Sequence, residues 1–403
     1  MAKFYKISKN QFILDGKSKS CIYDLENKKL YHINHNLSNL LKRASKANKN
    51  LSKEEKLTLK DLDKKGIHLE SDIKQVEEID ESYNSVHIEF AWIEVCTRCN
   101  LKCIHCYNES DAMCTNEMSF DDFVLLIDSL VELGVKKIQF IGGEPLIIGD
   151  KLKDMIKYAY KKFDWIEVFT NGTLIDEKWV EVFSEYGVRV ALSVYSYLEQ
   201  AHEKVTQLKG SYNRTNRAIQ ALKNSGIQYR VCNTIMDKVD IGEKNNDLYT
   251  LSKRKDIVRM SGRGNLHLLN DELIKQKLIT KETFSGPLNK TMIKRGISHH
   301  NCFGSKIYVS SDLTVYPCVM ERRFSHGNIH ENNSINLKTN ILNMNKDQIK
   351  GCSECEFRYC CFDCRPDAFS NDIYSKPWYC TYDPEKGKWI KLEEVIEKIK
   401  AMK

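Results

Sequence analysis

The sequence lacks the features of a chain that is exported or crosses a membrane. Its most apolar helical stretch, residues 120–133, carries four acidic residues, so we expect no membrane span. Lysines and polar residues punctuate residues 1–15, which predicts no signal peptide and a cytoplasmic location. No long basic run is interleaved with aromatic residues, and acidic residues accompany the lysines despite a net charge of +7. We therefore expect neither a membrane nor a nucleic acid as a partner.

Cysteine is abundant but unevenly distributed, with 15 in 403 residues. In a reducing cytoplasm, cysteines more often hold metals or perform chemistry than form disulfides. Four lie between Cys96 and Cys106 and seven between Cys318 and Cys380, whereas the long middle of the chain contains only Cys232. Two cysteine-dense zones separated in this way predict separate metal sites.

Residues 1–80 form the first predicted domain. Three short, mainly apolar segments at 12–14, 21–23 and 30–33, separated by a turn and a polar stretch, indicate a three-stranded meander. Asn36 is a candidate cap for a first helix, and Ser52 with Glu55 forms a capping box that opens a second one. We therefore expect a winged-helix-like α+β domain, followed by an acidic linker at 75–82.

Predicted strands and helices alternate from residue 86 to residue 260, which indicates parallel strands joined by right-handed crossovers. Too few strand–helix units precede Cys302 for an eight-stranded barrel. The expected fold class is therefore α/β, with a partial (β/α)6 TIM-type barrel over residues 86–260. The predicted strands are 87–95, 137–141, 166–170, 188–194, 228–234 and 257–259.

Three further regions follow the predicted barrel. Residues 261–300, which are rich in lysine and asparagine, are interpreted as a connecting region. Residues 301–385 combine short predicted strands (306–309 and 314–316), turns and cysteines, so we expect a small C-terminal domain held together by its metals. Residues 386–403 are predicted to form a C-terminal helix.

The motif Cys99-x3-Cys103-x2-Cys106 directly follows the first predicted barrel strand. A loop at the C-terminal end of such a strand lies at the face where α/β barrels place their active sites. Three thiolates can hold three irons of a [4Fe–4S] cluster and leave the fourth iron open. The alternative is a zinc site, for which His105 or Cys96 would supply the fourth ligand.

The segment Gly142-Gly143-Glu144-Pro145 ends the second predicted strand and favours the cluster over zinc. Paired glycines let a ligand approach the backbone closely, and Glu144 would place a carboxylate beside it, which suits an α-amino group. Such a tetrapeptide alone usually forms a turn. Here it follows a three-cysteine loop by one strand–helix unit.

With these motifs the chain resembles the radical S-adenosylmethionine (SAM) superfamily over roughly residues 88–260. The Cys-x3-Cys-x2-Cys loop is that superfamily's hallmark, and the Gly-Gly-Glu-Pro segment looks like its methionine-amino motif. Phe169-Thr170-Asn171-Gly172-Thr173 matches the third-strand signature. Ser193 matches the position that usually contacts the ribose, although Val194-Tyr195 stands where related enzymes often carry Asp-Gly.

The resemblance implies a reaction and a set of binding residues. A reduced [4Fe–4S] cluster would cleave SAM to methionine and a 5′-deoxyadenosyl radical, which takes a hydrogen atom from the substrate. The implied ligands of this cluster are Cys99, Cys103 and Cys106. The implied SAM contacts are Gly142, Gly143, Glu144, Asn171 and Ser193.

The C-terminal cysteines resemble the SPASM extension of radical SAM enzymes, which carries two auxiliary [4Fe–4S] clusters; zinc ribbons are the alternative. The chain departs from the pattern at Leu313, where a glycine is usual, and in a gap that is one residue short. Either Cys360 or Cys361 therefore remains a candidate ligand, with Cys360 preferred for its usual gap to Cys364. The implied ligands are Cys352, Cys355, Cys360 and Cys380 for the outer cluster, and Cys302, Cys318 and Cys364 for the inner one.

The inner set has only three cysteines, which implies an open iron unless Cys361 or His326 closes the site. A substrate thiolate could dock at such an iron. With the cluster on the first cysteine loop, the chain would hold three [4Fe–4S] clusters and SAM.

The N-terminal module resembles the PqqD-like peptide-recognition domain of enzymes that modify ribosomally made peptides. The resemblance implies that a precursor peptide adds its leader as a further strand, and that an electron donor such as flavodoxin or ferredoxin reduces the clusters. The expected product is a cross-link, with a thioether from cysteine preferred over a C–C or C–O bond. A formylglycine maturase and a zinc-stabilised binding protein are the rivals, and no general base is assigned.

Overall fold

The structure is a computed structural model that describes residues 4–46, 51–70 and 86–401, apart from residues 255, 265, 369 and 371. The predicted linker at 75–82 lies outside these residues. Within them, no helix is both long enough and apolar enough to cross a membrane.

The strands are β1 Tyr5–Ser8, β2 Gln11–Asp15, β3 Ser20–Asp24, β4 Lys29–Ile33, β5 Phe90–Cys96, β6 Lys137–Gly142, β7 Trp165–Thr170, β8 Arg189–Ser193, β9 Tyr229–Cys232, β10 Lys306–Val309, β11 Thr314–Tyr316, β12 Gly327–Asn328, β13 Tyr382–Asp383 and β14 Lys388–Trp389. The helices are α1 His35–Ala44, α2 Lys53–Lys64, α3 Phe120–Glu132, α4 Asp150–Ala159, α5 Glu177–Glu185, α6 Glu199–Thr206, α7 Ser211–Asn224, α8 Asp271–Lys277, α9 Lys290–Ser298, α10 Thr339–Leu342 and α11 Leu392–Lys400. Short 3-10 helices include Pro145–Ile148 and Arg365–Asp367.

The chain divides into two compact units. The first comprises Met1–Val86, Leu278–Asn301 and Asn343–Met402. The second comprises His87–Lys277 and Cys302–Leu342. We call them the terminal unit and the barrel unit.

The terminal unit begins with an antiparallel sheet in the order β1-β2-β3-β4. Its core contains Ile7, Ile13 and Ile22, packed against Leu41 of α1. The predicted meander accounts for β2, β3 and β4, but β1 was missed. The predicted capping box at the start of α2 is confirmed, whereas Asn34 rather than Asn36 caps α1.

The N-terminal sheet contacts the cysteine-rich segment of the same unit. Tyr23 of β3, which is fully buried, donates its hydroxyl to the carbonyl of Glu356 at 2.7 Å. The amide of Lys17 donates to the carbonyl of Glu354 at 2.8 Å. A side chain at Gly16 would clash with this backbone, so the turn between β2 and β3 requires glycine here.

The barrel unit is built on one sheet in the order β12-β11-β10-β5-β6-β7-β8-β9. Strands β5 to β9 are parallel and in sequence order, with helices between successive strands from β5 onward. Apolar residues of α3, including Phe123 and Leu130, are buried, as expected for a helix that covers a parallel sheet. The predicted α/β class with a partial barrel is confirmed.

The sixth parallel strand lies next to β5, not next to β9 as predicted. In place of a strand at 257–259, Ile257 forms a single parallel bridge to Ile235. Strand β10 pairs in parallel with β5, with Tyr308 opposite Trp92, and then turns back antiparallel into β11. Local sequence predicted β10 and β11 at their observed bounds but could not indicate their long-range partner.

Candidate active site

The cysteine loop follows β5 and is fixed by backbone hydrogen bonds to the rest of the barrel unit. The amide of Cys99 donates to the carbonyl of Asp111 at 3.0 Å, and that of Ile104 to Val205 at 3.0 Å. These bonds hold the backbone of the loop on both sides of Cys103.

Arg263 adds a second support to this loop from far along the chain. Its guanidinium donates to the carbonyls of Cys103 at 3.3 Å and Ser110 at 2.9 Å, and its amide donates to the carbonyl of Cys106 at 2.9 Å. A guanidinium presents several donors in a fixed plane, so one side chain can hold several carbonyls.

Gly142 and Gly143 let the backbone at the end of β6 pack closely against the backbone that leads into the cysteine loop. A side chain at Gly142 would clash with the carbonyl of Cys96, and one at Gly143 with the carbonyl of Arg98. The amide of Gly143 donates to Cys96 at 2.8 Å. The sequence argument assigned this close approach to a ligand, whereas the structure shows that the protein's own backbone makes it.

Glu144 is fully buried. Its carboxylate accepts hydrogen bonds from the hydroxyl of Thr170 at 2.6 Å and from the amide of Asn171 at 2.8 Å. Burial raises the pKa of Glu144 to about 7, although these hydrogen bonds act in the opposite direction. The carboxylate therefore joins the end of β6 to the end of β7, and its contact with SAM stays a prediction.

A cavity of about 430 Å³ lies at the C-terminal ends of the barrel strands. This volume is in the range of small-molecule sites. The predicted residues that line it are Cys99, Cys103, Cys106, Gly142, Gly143, Asn171 and Ser193. The structure thus brings the three cysteines together with every proposed SAM contact except Glu144, whose side chain is not part of the wall.

Tyr195 and His105 are wall residues to which sequence analysis gave no role in SAM binding. Tyr195 hydrogen-bonds the thiol of Cys103 and the hydroxyl of Ser193. Its ring lies edge-on to His105, with centroids 4.9 Å apart. The signal for Tyr195 was present in the sequence, since it stands where related enzymes carry a different residue.

The wall of the cavity also contains a charged group. Arg230 on β9 donates to the buried carboxylate of Glu167 at 2.7 and 3.0 Å, and Gln139 bonds the same carboxylate. Arg230 and Gln139 both line the cavity. The charge of Arg230 thus compensates the buried negative charge of Glu167. Together, Arg230 and Gln139 give one wall of the cavity a polar surface.

Burial disfavours the thiolate form of two cysteines of the loop, Cys99 and Cys103. Burial raises the pKa of Cys103 to about 12 and raises that of Cys99 as well. Metal binding must therefore displace protons from both. Cys96 does not line the cavity; its buried thiol bonds the carbonyl of Glu144 at 3.4 Å, which agrees with a packing role.

A second group of cysteines lies in the terminal unit. Cys352, Cys355, Cys361 and Cys380 line one small cavity. Cys360 is directed elsewhere: its thiol donates to the carbonyl of Phe357 at 3.3 Å and bonds the hydroxyl of Tyr23. The structure therefore places Cys361, not the preferred Cys360, with the other three predicted outer ligands.

The predicted inner ligands are distributed over both units. Cys302 and Cys318 belong to the barrel unit and Cys364 to the terminal unit. His326, the alternative fourth ligand, receives the amide of Lys338 on Nδ1 at 3.0 Å. No disulfide occurs among the described cysteines.

The donor chemistry of both cysteine groups suits iron–sulfur clusters. Thiolates are the usual ligands of a [4Fe–4S] cluster, and the barrel loop offers three while the terminal unit offers four. Among the described residues, no three Cys, His, Asp or Glu side chains converge as they would around a single metal ion. A cubane holds its thiolates further apart than one ion does, so this spacing is compatible with a cluster.

The chain thus has a parallel partial barrel, a three-cysteine loop and a cavity at the C-terminal ends of its strands. These features are typical of α/β barrel enzymes that bind a cofactor at this face. Residues 93–239 match the Radical SAM superfamily. Residues 93–239 of the chain therefore form a radical SAM domain.

Relatives extend the similarity beyond this domain. The antilisterial bacteriocin subtilosin biosynthesis protein AlbA of Bacillus subtilis is 27% identical over 333 residues, 77% of this chain and 73% of AlbA. An AdoMet-dependent heme synthase of Methanosarcina barkeri is 25% identical over 342 residues, 73% of this chain and 97% of that protein.

Among solved structures, Streptococcus suis SuiB bound to S-adenosylmethionine has a TM-score of 0.55 and 13% identity, over 90% of this chain and 96% of that one. SuiB bound to its precursor peptide SuiA gives a TM-score of 0.54 at the same identity and the same coverage. These likenesses concern the fold.

Proposed function

We propose that the chain modifies a ribosomally made precursor peptide by radical SAM chemistry. The observation that carries the proposal is the N-terminal sheet, which packs on the cysteine-rich segment through Tyr23 and Lys17. The names of two similar proteins support it, since AlbA is a bacteriocin biosynthesis protein and SuiB was crystallised with a precursor peptide.

The leader of the peptide would add to β4. In the described structure this strand pairs only with β3, so its other edge is open to a further strand. Lys29 and His32 of β4 are exposed, Leu30 and Tyr31 are partly exposed, and Ile33 is buried. A shallow cavity of about 520 Å³ begins at Asn34, directly after β4, and continues between α1 and α2.

The residues of the barrel unit would hold and orient the cofactors. Cys99, Cys103 and Cys106 would bind a [4Fe–4S] cluster, and Asn171 and Ser193 would contact SAM in the same cavity. When bound, cluster and SAM supply a 5′-deoxyadenosyl radical that abstracts hydrogen from the substrate. Wall residues such as Tyr195 would exclude water from this reactive species.

The outer auxiliary cluster would be held by Cys352, Cys355, Cys361 and Cys380, with Cys361 replacing the Cys360 assigned from spacing. Cys302, Cys318 and Cys364 remain the proposed inner ligands. The proposed product is a cross-link, with a thioether preferred, and the auxiliary clusters would accept the electron released when it forms. A flavodoxin or ferredoxin in the cytoplasm would supply electrons.

The test combines protein reconstituted anaerobically with iron and sulfide, SAM, a reductant and candidate precursor peptides, taken from any short reading frames found beside the gene. We expect 5′-deoxyadenosine and a peptide lighter by two hydrogen atoms for each link. Replacing Cys99, Cys103 and Cys106 by alanine should abolish both. Cys114→Ala is the matched control, because this thiol lies outside the cavity near Asp111.

Two outcomes would contradict the proposal. Uptake of zinc without iron, and no cleavage of SAM, would support a zinc-stabilised binding protein. A product that reacts with an aldehyde reagent would support formylglycine formation instead of a cross-link.

A further inference from the structure

Four cysteines and three cationic side chains share one small cavity in the terminal unit. The cysteines are Cys352, Cys355, Cys361 and Cys380, and the cations are Lys346, Arg358 and Lys376. Three cations around four thiols indicate an occupant with negative charge.

Two of these cations have structural partners. Arg358 forms an ion pair with Asp347 at 3.0 Å and donates to the carbonyl of Cys355 at 2.6 Å. Lys376 donates to the carbonyl of Tyr382 at 2.7 Å. Both are therefore held in place without help from an occupant of the cavity.

Lys346 is the third cation of this cavity, and it is buried. Only 6% of its surface is exposed, and its ammonium donates to the carbonyl of Phe362 at 3.0 Å and bonds the thiol of Cys361. In the part of the chain that the structure describes, it forms no ion pair with a carboxylate. Asp363, whose charge also acts on Lys346, is bonded to Arg365.

A buried ammonium is costly unless an opposite charge compensates it. Asp363 supplies part of this charge to Lys346 but is itself paired with Arg365. A [4Fe–4S] cluster bound by four thiolates carries a net negative charge in its oxidised state and a larger one after reduction. Such a cluster beside Cys361 would therefore add a negative charge next to Lys346.

We propose that Lys346 is the charge-compensating residue of the outer auxiliary cluster and raises its reduction potential. This inference rests on the proposed outer cluster. A cation next to the cluster stabilises the more negative, reduced state over the oxidised one. The cluster would thus accept an electron from the peptide more readily than an identical cluster without Lys346.

The test uses the full-length protein reconstituted with iron and sulfide, and a redox titration followed by electron paramagnetic resonance. The outer cluster is identified as the signal that Cys352→Ala removes. Lys346→Met should shift its midpoint potential to a more negative value, so that at a fixed potential the ratio of reduced to oxidised cluster falls about tenfold or more. Lys346→Arg should keep the wild-type potential.

Lys350→Met is the matched control, since this nearby lysine is 77% exposed in its side chain and pairs with Asp372. The midpoint potential of the outer cluster in the Lys350→Met variant should equal that in wild type. If Lys346→Met fails to take up the cluster while Lys346→Arg takes it up with the wild-type potential, charge compensation is supported by the iron content.

A loaded Lys346→Met protein with an unchanged potential would overturn the inference while leaving the proposed cluster intact. If Cys352→Ala removes no signal and no iron, the outer cluster itself is wrong, and the inference fails with it. The two failures are therefore distinguishable.

Discussion

The side-chain amide of Asn171 donates a hydrogen bond to the side-chain carbonyl of Asn100 at 2.9 Å. Asn100 donates in turn to the hydroxyl of Thr173 at 2.8 Å, and Thr173 donates to the side-chain oxygen of Asn171 at 2.6 Å. This closed ring joins the loop between Cys99 and Cys103 to the end of β7. Since Asn171 lines the cavity, the ring fixes the cavity wall relative to the cysteine loop.

Replacing Asn100 by alanine should weaken SAM binding and lower the free energy of unfolding. The change removes the acceptor of the side-chain amide of Asn171 and one donor to the hydroxyl of Thr173, and an unsatisfied group costs about 1–3 kcal/mol when it is buried. Equilibrium dialysis with SAM and urea unfolding measure the two effects. Asn213→Ala is the control, because Asn213 makes an exposed bond to Glu199; equal SAM affinity in both variants would contradict the role of the ring.

The free energy of unfolding should decrease as the pH rises towards neutrality, because the pKa of Glu144 is raised in the folded protein. Burial raises the pKa of Glu144 from its ordinary value of 4.5 to about 7, so the folded protein holds a proton that the unfolded chain has lost in this interval. The contribution is fully present below pH 4.5 and is lost as the pH rises through 7. The full effect is about 3 kcal/mol.

Glu144→Gln isolates this effect, because glutamine cannot ionise and retains an oxygen for Thr170 and the amide of Asn171. The free energy of unfolding of wild type relative to the variant should decrease between pH 5 and pH 8. Urea unfolding at several pH values measures it. A difference that does not change with pH would show that Glu144 ionises normally in the folded protein.

The parts of the fold that depend on local sequence were predicted well. Alternation of strands and helices indicated the partial barrel, and β10 and β11 were predicted at their observed bounds. What failed depends on distant pairing: Lys306–Val309 adds to β5 across more than half of the chain, which no local pattern indicates. Strand β1 was missed, although Tyr5 and Ile7 alternate with Lys6 and Ser8 along its four residues.

The site was predictable where its chemistry lies in consecutive residues. The cysteine loop and the glycines after β6 could be recognised because a short segment carries each of them. Arg263 could not be, since it reaches the carbonyl of Cys103 from 160 residues away. Spacing also could not separate Cys360 from Cys361, because adjacent residues in an irregular turn can point in opposite directions.

Tyr195→Phe should lower the reduction potential of the proposed cluster on the cysteine loop. The hydroxyl of Tyr195 bonds the thiol of Cys103, and hydrogen bonds to cluster sulfurs raise the potential by stabilising the more negative reduced state. A redox titration of the reconstituted protein measures the shift. Tyr212→Phe, which removes a hydroxyl bound to the carbonyl of Tyr197 at 2.8 Å, should leave the potential unchanged; equal shifts in both variants would contradict the prediction.

Substitution of Cys361 should lower the iron content of the protein, whereas substitution of the adjacent Cys360 should leave it unchanged. Cys361 faces the cavity that Cys352, Cys355 and Cys380 also line, so Cys361→Ala should lose the outer cluster, about a third of the iron if three [4Fe–4S] clusters are present.

Cys360→Ala should retain the full iron content, because this thiol faces Tyr23 and the carbonyl of Phe357. It should instead lower the free energy of unfolding by about 1–2 kcal/mol, through loss of contacts with the N-terminal sheet. Iron and sulfide analysis with thermal unfolding measures both variants. Loss of iron in Cys360→Ala, with full iron in Cys361→Ala, would restore the assignment made from spacing, because the loop would then have to rotate Cys360 into the cavity when the cluster binds.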